Sequence, residues 1–293
     1  MNLLRRTGGA IILLLTLLVI APLHLQSHAL ATQVTCFAYV ANFDSDTVSV
    51  ISVASNSVVS TIAVGDGPEG VAITPDGTKA YVTNLLSGTL SVIDTASNTI
   101  TSVSPIGTAP RGIGFTPDGS RAYIATSGSD TVTVIDTASN TTTSAIPVGD
   151  APHGIAITPD GTKAYVANYL NPTGTVTVIN TSSNSVSGTI TVGSAPGLYG
   201  MAITSTRLYV PNQLSNSVSV IDTSNNSVVA TIALPDSVST GNQASPRAVA
   251  VNSAGTLAYV ANSGGWVSVI DTSNNTIVGT ITVGPAPRGI VAV

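Results

Sequence analysis

The sequence predicts an all-β fold built by stacking copies of one short unit. A phrase close to AYVAN recurs with its tyrosine at Tyr39, Tyr81, Tyr123, Tyr165, Tyr209 and Tyr259, at spacings of 42, 42, 42, 44 and 50 residues. Between the tyrosines lie runs of four to eight residues rich in Val, Ile and Thr and bounded by Gly, Pro, Asp and Asn, the pattern of short antiparallel strands. Charged residues make up only 8% of the chain, against ~25% in an ordinary globular protein. A unit of this length cannot bury its own apolar face and must pack on its neighbours. Residues present in every copy therefore build the copy, and function is to be sought where the copies differ.

In chain order, the first segment lies outside the repeat. Arg5 and Arg6 precede an apolar run from Ala10 to Leu25, and Ala29, Leu30 and Ala31 give a small-residue site before Thr32. This predicts a secretory signal peptide over 1–31 and no transmembrane anchor once it is removed. The run spans 16 residues, short of the ~20 a membrane-crossing helix needs. Residues 32–293 then form a single domain with no visible linker. Without Arg5 and Arg6 the basic residues number seven against fourteen acidic, which excludes nucleic acid as a default partner. Cys36 is the lone cysteine, so no internal disulfide forms, and its apolar surroundings predict a buried structural thiol.

Each repeat predicts four strands. In the second copy these are Gly70 to Thr74, Ala80 to Asn84, Thr89 to Asp94 and Thr99 to Ile106. In Thr74-Pro75-Asp76-Gly77 the proline presets the first central dihedral, the aspartate accepts a local N–H and the glycine takes a positive φ; Asp118 and Asp160 repeat this. Asp94 with Asn98, Asp136 with Asn140, Asp222 with Asn226 and Asp271 with Asn275 mark a second turn with a left-handed exit. The recurring tyrosine predicts a side chain wedged between neighbouring sheets with its hydroxyl partnered.

Radial packing of such sheets around a channel is the β-propeller. The repeats begin with a second-type strand at Phe37 to Ala41 and end with a first-type strand at Gly289 to Val293. That arrangement predicts six four-stranded blades, one of them closed by pairing the N- and C-terminal segments. The alternative is an incomplete form of a seven-bladed protein.

The repeated text, Gly70-Val71-Ala72-Ile73-Thr74-Pro75-Asp76-Gly77-Thr78-Lys79-Ala80-Tyr81-Val82-Thr83-Asn84 followed by Thr89-Leu90-Ser91-Val92-Ile93-Asp94, resembles the YVTN β-propeller repeat family from Phe37 to Val293. The resemblance implies a secreted, periplasmic or surface-layer protein, in a family with many seven-bladed members and with lactonases among its relatives. It carries no catalytic residues across, since a repeat signature describes a scaffold.

The copies differ most sharply where the chain enters the innermost strand. A Pro-x-Gly form or variant recurs there, with x being Glu69, Arg111, His153, Tyr199 in a longer Gly197-Leu198-Tyr199, Arg247 and Arg288. These six residues are predicted to ring the channel mouth as a net cationic patch on an acidic protein. Two readings stand beside each other: an anion-binding mouth, or an ionic ring whose members satisfy one another. A hydrolase would use His153 or Glu69 to activate water. No clustered ligand set points to a metal, and no cofactor is predicted. The loops Asn168 to Gly174, with Tyr169, and Pro235 to Ser245 are longer than their counterparts, and Trp266 follows a shortened turn, either as a binding anchor or as a filler.

The function predicted is a noncatalytic, secreted or envelope-associated scaffold that binds an anionic small molecule, carbohydrate or envelope component. A lactonase-like hydrolase is the first alternative, and a purely structural surface-layer module the second.

Overall fold

The computed structural model describes residues 36–170, 173–236, 243–290 and 292. The expected signal segment lies outside them, as do parts of the two longer loops. No helix among the described residues is long and apolar enough to cross a membrane.

The described residues form six consecutive antiparallel sheets in a propeller arrangement: a three-stranded sheet over 37–63, then four-stranded sheets over 68–105, 110–147, 152–191, 202–233 and 246–282. In every four-stranded sheet the strands lie in chain order. The first strand of each is innermost, because it meets the first strand of the next sheet. A β-carbon on Gly70 would collide with the carbonyl oxygen of Arg111, one on Gly112 with that of His153, and one on Gly154 would lie 2.7 Å from that of Gly197. Only glycine permits this approach.

Alternating Val and Ile of each sheet interdigitate with those of the next, giving one apolar cluster at each of five successive junctions. Val48, Val50 and Ile62 of the first sheet meet Ala80, Val82 and Ile93 of the second, and the pattern repeats along the array. The tyrosines cross the same junctions. Tyr39, Tyr81, Tyr123 and Tyr165 donate to the side-chain oxygens of Asn98, Asn140, Asn184 and Asn226 in the following sheet at 2.5–2.8 Å. Tyr209 and Asn275, the next pair by register, do not bond to each other. Each asparagine is left-handed, with φ between 50° and 60°, as the turn reading expects. Asp76, Asp118 and Asp160 accept from the backbone N–H two residues on.

Four features differ from expectation. Inner strands start at Pro68, Pro110, Pro152 and Pro246, so Glu69, Arg111, His153 and Arg247 lie within strands rather than in the loops before them. In the fifth sheet the inner strand shrinks to Ala202–Ile203, because the two extra residues around Leu198 spoil its register. The described residues Gly289, Ile290 and Ala292 are in no strand, so the first sheet has three. Cys36 is exposed rather than buried. It shares its sheet face with Ala38 and Val40, and among the described residues no neighbouring sheet covers that face: Val40 is 43% exposed, whereas its counterparts Val82, Ile124, Val166, Val210 and Val260 are fully buried.

Trp266 is a filler. It is buried in the last cluster, and its ring occupies the space a β-carbon on Gly264 would take.

The close approach of the inner strands predicts a contrast between glycines. Gly154→Ala should cost about 1–3 kcal/mol in urea unfolding. Gly188→Ala, which meets open space, should be neutral or stabilise by up to about 1 kcal/mol. Equal midpoints for the two variants would contradict the packing.

Candidate functional site

One local device delivers a variable residue to the centre of each sheet. The residue before each proline is left-handed: Gly67 (φ 62°), Ala109 (48°), Ala151 (48°), Ala195 (53°), Ser245 (45°) and Ala286 (53°). This conformation is costly for alanine and is held by the neighbouring hairpin. Asp46 accepts from the Gly67 N–H, Asp130 from Ala151 and Asn216 from Ser245, each at 2.8 Å. The Ala286 N–H donates to the Ser263 carbonyl at 3.1 Å. The chain at Pro287-Arg288 is therefore turned inward like its five predecessors, although no strand follows.

The six residues singled out by sequence are linked around one mouth. Arg111 makes an ion pair with Glu69 at 2.6 Å through Nη1, with its Nε buried and unpartnered. The Arg111 carbonyl accepts from Thr83 at 2.7 Å, which fixes the backbone behind the guanidinium. Arg247 and Arg288 place their guanidinium carbons 5.8 and 5.9 Å from the ring centre of Tyr199, within cation–π range. Tyr199 remains 37% exposed, and its backbone N–H donates to the Arg247 carbonyl. Arg247 Nε also donates to the Ser263 hydroxyl. Among the described residues neither Arg247 nor Arg288 has a carboxylate partner.

His153 is the most enclosed member, only 5% exposed. Its ring stacks on Tyr169, with centroids 4.7 Å apart and planes 13° from parallel. Its Nδ1 is buried with no hydrogen-bond partner. Burial, and secondarily the Arg111 charge, lowers its pKa to about 4, against a smaller opposing effect of the Leu198 carbonyl. The imidazole is thus neutral at pH 7. Burial raises the pKa of Glu69 despite the opposing charges of Arg111 and Arg288.

The mouth consequently combines an ion pair, Glu69–Arg111, with two arginines that have no ion-paired carboxylate among the described residues and a neutral imidazole whose Nδ1 is buried without a partner. Glu69 and Arg111 are ion-paired, and Arg247 and Arg288 instead flank the Tyr199 ring. Tyr169 and Gln213 make contacts around His153 that the sequence did not assign to residues. The signal was present for Tyr169, which falls in a segment longer than its counterparts. Among the described residues no three His, Cys, Asp or Glu side chains gather as a metal-binding group.

A protein-family model described as "Lactonase, 7-bladed beta-propeller" matches residues 113–276, which include His153, Tyr199 and Arg247. Among solved structures, hydrazine synthase of Kuenenia stuttgartiensis aligns over 87% of this chain and 86% of its own, with 23% identity and a TM-score of 0.77. A functionally unknown protein from Desulfotomaculum acetoxidans aligns over 86% of this chain and 83% of its own, with 20% identity and a TM-score of 0.71. At such identities these two structures establish the fold alone. No curated protein matches the sequence significantly.

The burial of His153 makes stability depend on pH. The unfolded histidine takes up a proton below its ordinary value near 6.5, while the folded one resists until about 4. Stability is thus fully present above pH 6.5 and falls as pH drops through this window, by about 3 kcal/mol at most. Denaturant titrations of His153→Gln should lack this acid limb relative to the parent; identical pH profiles would contradict the assignment.

Proposed function

Because the chain belongs to the lactonase family of seven-bladed β-propellers, we propose that it is a hydrolase of cyclic esters acting at this mouth. The observation that carries the reading is the buried, unpartnered Nδ1 of His153, in a ring whose protonation the Arg111 charge opposes. In the proposed reaction, a water held by Nδ1 attacks the ester carbonyl carbon and gives its proton to the imidazole. The negative charge that develops on the carbonyl oxygen is stabilised by Arg111, whose Nε is buried with no partner of its own. Collapse breaks the ring carbon–oxygen bond. The imidazolium returns the proton to the departing alkoxide, and the products of lactone plus water are one hydroxy acid. An imidazole titrating near 4 is a weak base, so charge stabilisation by the arginines supplies the larger share of the acceleration.

A second reading has its own observation. Arg247 and Arg288 carry charge without a carboxylate partner among the described residues, which suits noncatalytic capture of an anionic small molecule or acidic carbohydrate. Under either reading the protein is secreted, periplasmic or at the cell surface, a placement that rests on the leader-like residues 1–31. The YVTN subtype rests on the repeated text.

We also propose that the array closes as six blades, with Gly289–Val293 as the missing inner strand of the first sheet. Two features support closure. Val267, Val269 and Ile281 of the last sheet are the counterparts of Val48, Val50 and Ile62, yet Ile281 is 50% exposed while Ile62 is buried. They match the uncovered Ala38, Val40 and Ile51 of the first sheet, the counterparts of Ala80, Val82 and Ile93. By the register of the four cross-sheet pairs, Tyr259 faces Asn56, which has the left-handed φ of 49°.

Two measurements test these proposals. Assayed against a panel of γ- and δ-lactones, the protein should release acid, and His153→Gln should lower kcat/KM by about 100-fold or more. Absence of turnover, with carboxylates still binding until Arg247 and Arg288 are replaced, would overturn hydrolysis in favour of capture. For closure, Tyr259→Phe and Asn56→Ala should each cost about 1 kcal/mol, and the double variant no more than one of them; additive losses would count against the pair.

A further inference from the structure

The face opposite the mouth carries the turns that join the first strand of each sheet to the second, and one of these turns breaks the pattern. We propose that the groove it opens, between the fourth and fifth sheets, is a binding site for a neutral saccharide recognised by Lys163, Arg207, Asp160 and Asp222. The groove lies at the other end of the strand Lys163–Asn168 from the mouth, ~17 Å away at the ordinary rise per residue. It stands apart from the hydrolase reading of His153.

The groove exists because one hairpin is short. In the second, third and fourth sheets the turn spans four residues, with the N–H groups of Thr74, Thr116 and Thr158 donating to the carbonyls of Lys79, Arg121 and Lys163 at 2.9–3.0 Å. In the fifth sheet the Thr204 N–H donates to the Arg207 carbonyl at 2.8 Å, so only Ser205 and Thr206 span the turn. The Pro-Asp-Gly of the three preceding copies is missing. The groove beside it measures about 690 Å³, against about 300 and 340 Å³ for the equivalent grooves between the second and third and the third and fourth sheets. Its size falls within the ~300–1,000 Å³ of small-molecule sites.

The shortening also changes the charges. In the two smaller grooves the following sheet contributes the aspartate of this turn, Asp118 or Asp160. In the large groove it contributes Arg207 and Asp222. Lys79, Arg121 and Lys163 each reach forward to a turn carbonyl of the next sheet, those of Thr137, Thr181 and Thr223, at 2.5–2.6 Å. Arg207 turns back instead, and its Nη1 donates to the Thr206 carbonyl at 2.9 Å and to Asp222 at 2.6 Å. Asp222 thus fixes the plane of the guanidinium, whose remaining N–H groups make no bond among the described residues. On the fourth sheet, Asp160 accepts from the Thr158 and Thr162 hydroxyls through Oδ1 alone, whereas Asp76 and Asp118 also accept through Oδ2.

Two cations and two carboxylates leave the groove without formal charge. Asp160 and Asp222 oppose a simple anion, and Lys163 and Arg207 oppose a simple cation. A guanidinium only donates and a carboxylate only accepts, while a sugar hydroxyl does both. Adjacent hydroxyls of one ring therefore suit Arg207 on one wall and Asp160 on the other, through bonds strengthened by the protein's charges. Ser205 and Thr206 add hydroxyls to the lining, and the Pro159 ring offers an apolar surface to the C–H side of a sugar.

Saturation-transfer NMR followed by calorimetric titration tests the site, with maltose, cellobiose and diacetylchitobiose as neutral probes and glucuronate and glucosamine as charged ones. At least one neutral probe should bind. Arg207→Ala and Asp160→Asn should each weaken its binding by about 10-fold or more, and Arg247→Ala, at the mouth, should leave it unchanged. Because loss of Arg207 also removes the partner of Asp222, a further variant refills the groove: Ser205-Thr206 replaced by Pro-Asp-Gly-Thr, the turn of the fourth sheet. It should abolish binding while circular dichroism and the urea midpoint stay those of the parent. No binding of any neutral probe, binding of the charged probes alone, neutral binding that survives the refilled turn, or neutral binding lost in Arg247→Ala would overturn the proposal.

Discussion

Everything in this molecule depends on how closely the inner strands approach. At Gly70, Gly112 and Gly154 the next sheet's backbone takes the space of a β-carbon. That approach narrows the centre, and it fixes what the neighbouring residue can do. With that position of these three inner strands pressed against the adjoining sheet, the residue before it, Glu69, Arg111 or His153, is directed to the mouth. A repeated glycine thus sets a variable residue, and a left-handed turn before each proline repeats the delivery. The outer parts of the sheets serve this centre through a separate set of contacts, the Val and Ile clusters and the tyrosine–asparagine pairs that cross from sheet to sheet.

Crowding at the centre has an electrostatic consequence. Withdrawal from water opposes charge on any group held there. It works against Glu69, whose pKa rises even though Arg111 lies 2.6 Å away, and it keeps His153 neutral. The centre therefore ties its carboxylate to one guanidinium and keeps its imidazole neutral, with Nδ1 unpartnered. Such a combination suits a substrate whose carbonyl oxygen gains negative charge during reaction.

Much of this was legible in the sequence. The period of the tyrosines announced repeated sheets, and the differences between copies picked out Glu69, Arg111, His153, Tyr199, Arg247 and Arg288, which the fold links at one mouth. What could not be read was pairing across sheets. Nothing in the order of residues says that Arg111 prefers Glu69, or that Arg247 and Arg288 share Tyr199, because these contacts depend on side chains from strands some 40 or more residues apart. Gln213 was invisible for the same reason: it is an ordinary polar residue until Tyr169 from another sheet reaches it. Cys36 failed for a local reason. Its apolar neighbours suggested a buried thiol, but they alternate between a covered and an uncovered sheet face, and Cys36 falls on the uncovered one.

The central claim is that the His153 lone pair and the Arg111 guanidinium receive the two reacting parts of one cyclic ester. A crystal structure with a lactam, whose ring resists hydrolysis, tests this most directly. The account predicts the lactam carbonyl oxygen within hydrogen-bonding distance of Arg111 and a water on Nδ1 of His153 facing the carbonyl carbon. A lactam bound away from both residues, or an Nδ1 filled by a donor from the protein itself, would contradict it.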